Sequence, residues 1–444
     1  MDAIRFDGSE AVYAWLLQFV NVEKGQATIF KLDRMRELAI ALGSPERSYR
    51  TVHVAGSKGK GSVSTMLAHI LRESGHRVGL YTSPHLLRWK ERISLAGEEI
   101  DDAFIVEAAE RLVPLVEGKL ASDFPGDELP TYFELSTLIA FEAFRLAGCD
   151  IAVIETGLGG RLDSTNIVDS EASLITRLEL EHTEWLGDSI DKIAFEKAGI
   201  IKPGRPVCVA PQLAEAMAVI EKVAAERESR LVDVEKSLKI EAISIDRRGT
   251  RARFTFAGGW PWAESLEFAT PLVGEVQAHN MGQAILAAAL VEEKLDPEAV
   301  GRGLTAARLP ARFELVSENP PIVLDGAHTP ASVALALDSF ERLFPGPKLL
   351  LFACAIDKRH AEMARIFGAH FDEIVVTRPG TFKQSDPGAV HASFKAVDAR
   401  TRLVADTREA FEGCLERARR ENMALLVTGS FYLCAEAAKL LQEV

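Results

Sequence analysis

Short apolar runs alternate along this chain with stretches whose apolar positions recur every three or four residues. The runs TVHVAG (51–56), RVGLYTS (77–83), DIAVIET (150–156), ASLITRL (172–178) and RPVCVAP (205–211) read as buried strands. FELSTLIAFEAFRLAG (133–148) and SIDKIAFEKAGII (189–201) carry helical spacing between them. This alternation predicts an α/β fold with a mostly parallel sheet, and ligands at the C-terminal strand ends. Residues 238–270 break the rhythm, alternating apolar and polar around RRGT as a hairpin does, so a small antiparallel insert is expected. A long helix over 276–295 follows. The Gly- and Pro-containing stretch DPEAVGRGLTAARLPAR then leads into strands at 320–327, 348–355, 372–378 and 424–430. A boundary near residues 305–310 separates this smaller, Rossmann-like series, giving expected domains 1–306 and 307–444.

Composition narrows the partners. The 444 residues carry 47% hydrophobic side chains, and the net charge of −14 comes without a block of like charges. That argues against nucleic acid, whose phosphates need clustered Lys and Arg. The N-terminal MDAIRFDGSEAVYAWLLQF starts acidic, and no signal peptide is expected. No stretch approaches the roughly 18 apolar residues of a membrane span. Cys149, Cys208, Cys354, Cys414 and Cys434 are odd in number with no C-x-x-C, which fits a reduced, cytoplasmic setting with buried thiols.

Chemistry enters at HVAGSKGKGSVST (53–65). A strand runs into Gly56, Gly59 and Gly61, with Lys58, Lys60 and Ser62 among them, and a helix follows. Walker A is missed, since Val54 stands where its first glycine belongs and Gly61 follows Lys60. The loop is either a glycine-rich turn with solvated lysines or a P-loop-type mononucleotide site. In the second case its N–H groups and the helix N-terminus hold phosphates. Polar groups follow four other strands: Ser83 and His85 in YTSPHL; Glu155, Arg161 and Asp163 in ETGLGGRLDSTN; His182 in LELEHTEW; Asp325 and His328 in LDGAHTP. Each alone fits a polar turn. Together they surround one sheet edge, where Ser83 and Glu155 suit oxygen-seeking Mg²⁺ and His182 suits it less. Lys197, in FEKAGII, reads by pattern alone as an exposed helix surface.

The loop GSKGKGS, with YTSPHL, TYFELST, ETGLGGRLDSTN, EHTEWLGDSI, EKAGIIKPG, PARFE and LDGAHTP in this order, resembles the bacterial folylpolyglutamate synthase/dihydrofolate synthase family of the Mur ligase superfamily. The resemblance covers nearly the whole chain. It implies an ATP-dependent ligase that adds L-glutamate to 7,8-dihydropteroate and to reduced folates through an acyl phosphate, as a cytoplasmic monomer. It implies ATP contacts at Gly56, Gly59, Lys60, Gly61, Ser62, Asn280, Arg312 and Asp325. Magnesium is implied at Ser62, Ser83, Glu155 and His182. Catalytic parts are implied for Lys60, His182, His328 and Lys197, the last as a carbamate. The pterin-bearing substrate is implied to meet Thr28, Ile29, Phe30, Lys31, Thr131, Tyr132, Phe133, Glu134, Leu162, Asp163 and Ser164. The chain departs from the family pattern at Lys58 (usually a neutral amide), Thr329 (usually Asn), Glu181 and Glu184 (commonly Asp), and in DKRH (357–360). Three other readings stay open: a single-activity synthase, a Mur-type ligase for a non-folate carboxylate, and a nucleotide-binding regulator without catalysis.

Overall fold

The computed structural model describes residues 4–20, 32–258, 260, 262, 264–380 and 384–443. They fall into two units. The first comprises Met1–Ala242, Ala252–Ala269 and Ala278–Ala307; the second comprises Ile243–Arg251, Thr270–Gln277 and Arg308–Val444.

The first unit is built on an eight-stranded sheet of β1 (Arg50–Ala55), β2 (Val78–Tyr81), β3 (Ile93–Leu95), β4 (Glu98–Glu99), β5 (Ile151–Glu155), β6 (Ala172–Ile175), β7 (Val207–Val209) and β8 (Leu231–Asp233). Their order is β4-β3-β2-β5-β1-β6-β7-β8. Strands β2, β5, β1, β6, β7 and β8 run parallel, and β3 and β4 close one edge antiparallel. The expected strands are thus present, and β3, β4 and β8 are additions. These three are only two or three residues long, too short for a periodic pattern to show. The parallel strands are buried along almost their whole length, which is why they read as apolar runs.

After β1 the chain goes to β2 on one side, then comes back so that β5 lies beside β1 and β6 flanks β1 on the other side. The order reverses at β1, and open α/β sheets bind ligands outside the strand ends at such a point. Register places Val54 opposite Glu155 and Ala55 opposite Ile175, so the segments leaving β1, β5 and β6 emerge together. Helix Tyr132–Leu146 is buried along nearly its whole length in the core that covers one sheet face, packed with Trp89, Ile105, Leu112 and Ile154. Strands β9 (Leu238–Asp246), β10 (Gly249–Phe256) and β11 (Leu266–Thr270) form the expected small insert as a separate three-stranded sheet. Within the Gly- and Pro-containing stretch, Pro297–Ala306 form a helix. Pro297 sits at its first position, where the missing N–H costs nothing, and Asp296 caps it.

The second unit carries a six-stranded sheet of β12 (Glu314–Glu318), β13 (Pro321–Asp325), β14 (Lys348–Phe352), β15 (Glu373–Val376), β16 (Arg402–Leu403) and β17 (Ala424–Thr428), ordered β12-β13-β17-β14-β15-β16. All neighbours are parallel except β12. Phe340, Phe352, Phe367, Phe371 and Phe394 fill its core. The five cysteines are free and buried, as expected.

Candidate active site

The loop after β1 is shaped by what surrounds it. Gly56 has φ +152°, and a Cβ there would lie 1.7 Å from the Thr176 Oγ1 at the end of β6. Only glycine fits that approach. The N–H groups of Ser57 and Lys58 both donate to the Arg177 carbonyl at 3.0 Å, which ties the loop to the chain leaving β6. The following helix opens at Lys60 rather than near Ser62 and spans Lys60–Glu73 with no side-chain cap. The N–H groups of Lys60, Gly61 and Ser62 point out of its first turn without intrahelical acceptors, an anion-favouring arrangement. Gly59, at φ +89°, faces the Asn280 amide, so the long helix Glu275–Val291 brings Asn280 to the loop.

Two lysines converge on one oxygen. Lys60 Nζ donates to the Gly56 carbonyl at 2.9 Å, and Lys197 Nζ donates to the same carbonyl at 2.7 Å. Lys197 comes from helix Ile190–Ala198 and is 2% exposed, so the pattern-only reading of an exposed helix surface is overturned. An amphipathic period cannot show that the polar face of this helix is itself covered. Burial, with the neighbouring Lys60 charge, lowers the Lys197 amine to about 8 despite Glu181. Glu181 Oε1 lies 3.4 Å from Lys197 and its Oε2 lies 3.7 Å from Lys58. Burial pushes its carboxyl up, but Lys197, Lys60, Lys58 and His182 together hold it below the usual range. Two departures from the family pattern, Lys58 and Glu181, thus pair with each other.

Glu155 ends β5, is buried, and accepts from the Ser83 N–H at 3.2 Å, so the structure brings these two residues together. His182 takes left-handed angles (φ +49°, ψ +39°) at the head of helix Thr183–Leu186. Such backbone strain in a non-glycine residue is typical of functional positions. The hydroxyls of Thr156 and Thr176, just past β5 and β6, are buried without a protein partner. Orphaned oxygens of this kind are satisfied by water or a hydrated ion. Among the described residues no cluster of three or more His, Cys, Asp or Glu could hold a metal. By donor type the oxygens of Ser62, Ser83 and Glu155 would fit a magnesium ion, and the His182 nitrogen fits it less well. His85 is engaged elsewhere: Arg92 Nε donates to its Nδ1 at 2.9 Å, and burial with that charge lowers it to about 4.

A second group lies beside this one in the same unit. The Phe133 ring packs against Gly157, where a Cβ would come within 2.4 Å of it. Asp163 holds the same loop by accepting from the Leu158 N–H at 2.8 Å and from Thr165. Burial raises its carboxyl in spite of those bonds. Residues 131–134 and the Leu162, Asp163, Ser164 turn are therefore brought together. Within them Thr131 and Glu134 form a capping box for helix Tyr132–Leu146, and Arg34 grips Glu134 with three contacts of 2.9–3.1 Å. Arg34 was not singled out from the sequence, because nothing local marks a partner a hundred positions away. Thr28, Ile29, Phe30 and Lys31 lie outside the described residues.

In the second unit, Asp325 ends β13 and accepts from the N–H groups of Phe313 and Ala327, each at 2.8 Å. Burial raises its carboxyl against these bonds and the Arg312 charge. Arg312 stacks over Phe431 at 4.1 Å, between two residues at positive φ, Ala311 and Phe313. His328 Nδ1 lies 2.8 Å from the Gly326 carbonyl. Thr329 caps helix Pro330–Leu343 through the Ser332 N–H, a duty Asn performs equally well, so this departure leaves the turn intact.

Known proteins share this organisation. The Mur ligase middle domain matches residues 54–288, and the Mur ligase glutamate ligase domain matches residues 311–431. The chain belongs to the Mur ligase family. A folylpolyglutamate synthase of Lacticaseibacillus casei is 35% identical to this Mur ligase over 408 residues, 90% of this chain and 92% of its own. A dihydrofolate synthase/folylpolyglutamate synthase of Bacillus subtilis is 31% identical over 424 residues, 93% of this chain and 95% of its own. The solved structure of E. coli FolC in complex with DHPP and ADP matches with a TM-score of 0.83 at 27% identity, covering 97% of this chain and 98% of that one. The resemblance seen in the motifs is thereby shown, as is the α/β fold with a large nucleotide-binding domain and a smaller second one. The chain is an ATP-dependent ligase of this family.

Proposed function

We propose that this Mur ligase joins L-glutamate to 7,8-dihydropteroate and to reduced folates. The observation that carries the reading is the convergence of Lys60 and Lys197 on the Gly56 carbonyl beside an uncapped helix start, with Glu155 at the adjoining strand end. This is a basic phosphate cradle next to a carboxylate suited to Mg²⁺. In the first step a substrate carboxylate oxygen attacks the γ-phosphorus of ATP, the bond to ADP breaks, and an acyl phosphate forms. In the second, the amino group of L-glutamate attacks the acyl carbon, phosphate leaves, and a proton is lost.

Lys60 would leave Gly56 for the phosphates and, with the N–H groups of Gly61 and Ser62, balance the charge that builds on the transferring group. Gly56 and Gly59 give the loop its path, and Asn280 holds the nucleotide. From the second unit, Arg312 and Asp325 are assigned to the nucleotide and His328 to its phosphates. Ser62, Ser83, Glu155 and His182 would hold Mg²⁺, which when bound neutralises phosphate charge. A lysine reacts with carbon dioxide only as the neutral amine. A value of about 8 makes Lys197 more reactive in this way than an ordinary lysine near 10.5. Phe133, Leu162, Asp163 and Ser164, with Thr131, Tyr132 and Glu134, would receive the pterin end, joined by Thr28, Ile29, Phe30 and Lys31. Residues 1–306 and 307–444 are proposed as the working domains, in a cytoplasmic monomer; no helix among the described residues is long and apolar enough to cross a membrane.

The test is ADP release by purified protein with ATP, Mg²⁺ and L-glutamate, with either 7,8-dihydropteroate or a tetrahydrofolate, and products identified by mass. Glutamate addition to both acceptors is expected. Addition to one alone would make it a single-activity synthase, and addition to neither would send the search to non-folate carboxylates. No glutamate-dependent ADP release with any acceptor would revive the regulatory reading.

A further inference from the structure

Buried parallel strands are ordinarily filled by Val, Ile and Leu. In β1 an imidazole interrupts that run. His53 lies three residues before Gly56, opposite Ile154 of β5 and Ser173 of β6, and is completely shielded from solvent. Its Nε2 lies 2.8 Å from the Thr165 hydroxyl, while its Nδ1 has no partner among the described residues. A buried ring nitrogen left in this way costs free energy, which an apolar side chain would avoid. What offsets that cost is the bond to Thr165.

The direction of that bond follows from its neighbours. The Thr165 hydroxyl has one proton, and it donates that proton to Asp163 Oδ1. Nε2 must therefore carry the hydrogen and donate to Thr165, which leaves Nδ1 bare. Burial, helped by the Lys202 charge, lowers this imidazole well below its ordinary range, so it stays neutral with its single donor fixed. Asp163 is buried in turn and gathers the loop after β5. Its Oδ2 accepts from the Leu158 N–H at 2.8 Å, its Oδ1 from the Thr165 N–H at 3.0 Å, and the Gly157 N–H also bonds to it. Gly157 in turn packs against the Phe133 ring. One line of hydrogen bonds thus runs from the interior of the strand that ends in the phosphate loop to the turn beside Phe133.

We propose that His53 is a positioning residue for the acceptor: its Nε2–H orients the Thr165 hydroxyl, which fixes the Asp163 carboxylate and with it the 157–164 turn against Phe133. The inference rests on the assignment of that turn to the acceptor. Three variants test it. His53→Leu removes the donor, His53→Gln keeps an N–H near the Nε2 position, and Thr165→Val removes the hydroxyl at nearly constant volume. Each is compared with wild type by hydrogen exchange over residues 156–167 and by steady-state kinetics with acceptor and ATP varied in turn. His53→Leu and Thr165→Val should each speed exchange of the Leu158 and Thr165 amides and raise the acceptor KM, both about tenfold, the loss typical of one buried hydrogen bond. The KM for ATP should stay within about twofold, since the phosphate loop keeps its own contacts. Combining the two substitutions should be no worse than either alone, because both cut the same line of bonds. His53→Gln should restore both readouts. If His53→Leu disturbs the fold, the near-isosteric Thr165→Val carries the test. Unchanged exchange, an unchanged acceptor KM, parallel rises in both KM values, or a His53→Gln variant as impaired as His53→Leu overturns the proposal. Wild-type protein that turns over no folate acceptor would sink the functional reading alone, and the exchange measurement would still decide whether His53 holds the turn.

Discussion

Replacing Glu134 by Ala separates two roles for the same carboxylate, as a substrate contact or as part of the scaffold. Arg34 and Glu134 side chains are 10% and 6% exposed, with contacts of 3.1, 3.0 and 2.9 Å between them. Arg34 also donates to the Glu128 carbonyl at 3.1 Å. Glu134 further accepts from the Thr131 N–H at 2.7 Å as half of a capping box. Removing Glu134 leaves the buried Arg34 only the Glu128 carboxylate, 3.6 Å away and 40% exposed, and breaking a buried pair of this kind costs about 3–5 kcal/mol. Losing half of the capping box adds about 1 kcal/mol. Glu134→Ala should therefore cost about 4–6 kcal/mol, read from the urea midpoint and slope of the first unit's transition. Replacing both partners by apolar residues of similar volume, Arg34→Met with Glu134→Leu, removes the stranded charge. The double variant should recover at least about 2 kcal/mol relative to the sum of the singles. A cost below about 1 kcal/mol for Glu134→Ala, or simple additivity in the cycle, would refute the claim that this pair anchors helix Tyr132–Leu146. If the stable double variant keeps the wild-type KM for acceptor, Glu134 serves only to hold Phe133. A rise of more than about tenfold assigns it a direct contact.

Lys60→Ala should lower kcat at least about a hundredfold with an unchanged melting temperature, the usual loss when a group that stabilises transferring charge is removed; near-normal turnover would sink the nucleotide assignment. Protein stripped of carbon dioxide at pH 6.5 should lose activity and regain it with bicarbonate at pH 8.5, because the Lys197 amine, lowered to about 8, is mostly protonated at the lower pH. A bicarbonate-independent enzyme would argue against the carbamate. For stability the sign is opposite to that of a paired lysine. The folded amine releases its proton near 8 and the unfolded one near 10.5, so the unfolded chain binds more protons between them and stability rises with pH across that window. Lys197→Met should therefore gain most on wild type below pH 8, with the gap closing toward pH 10.5. Gly56→Ala places a Cβ 1.7 Å from Thr176 Oγ1, which should cost about 1–3 kcal/mol in forced rearrangement and weaken ATP binding; unchanged ATP affinity by calorimetry would count against a fixed loop path.

The amino-acid order alone determined the elements whose signal is local. Apolar runs bounded by turns marked the parallel strands β1, β2, β5, β6 and β7, and alternation around RRGT marked β9 and β10. The motifs at 56–62, 153–166 and 324–330 placed chemistry at strand ends, because a strand, a glycine-bearing turn and a helix start are all written within about ten residues. Short edge strands such as β4 and β16, two residues each, were out of reach: they exist only because a neighbouring strand offers hydrogen bonds. The same limit applies to the site. Tertiary structure decided that Lys197 is buried and shares an oxygen with Lys60, that Lys58 pairs with Glu181, and that Arg34 grips Glu134. These partners lie many positions apart in sequence. Their charges acquire a partner and a desolvation cost only when the sheet order and the helix faces bring them within a few ångströms of each other.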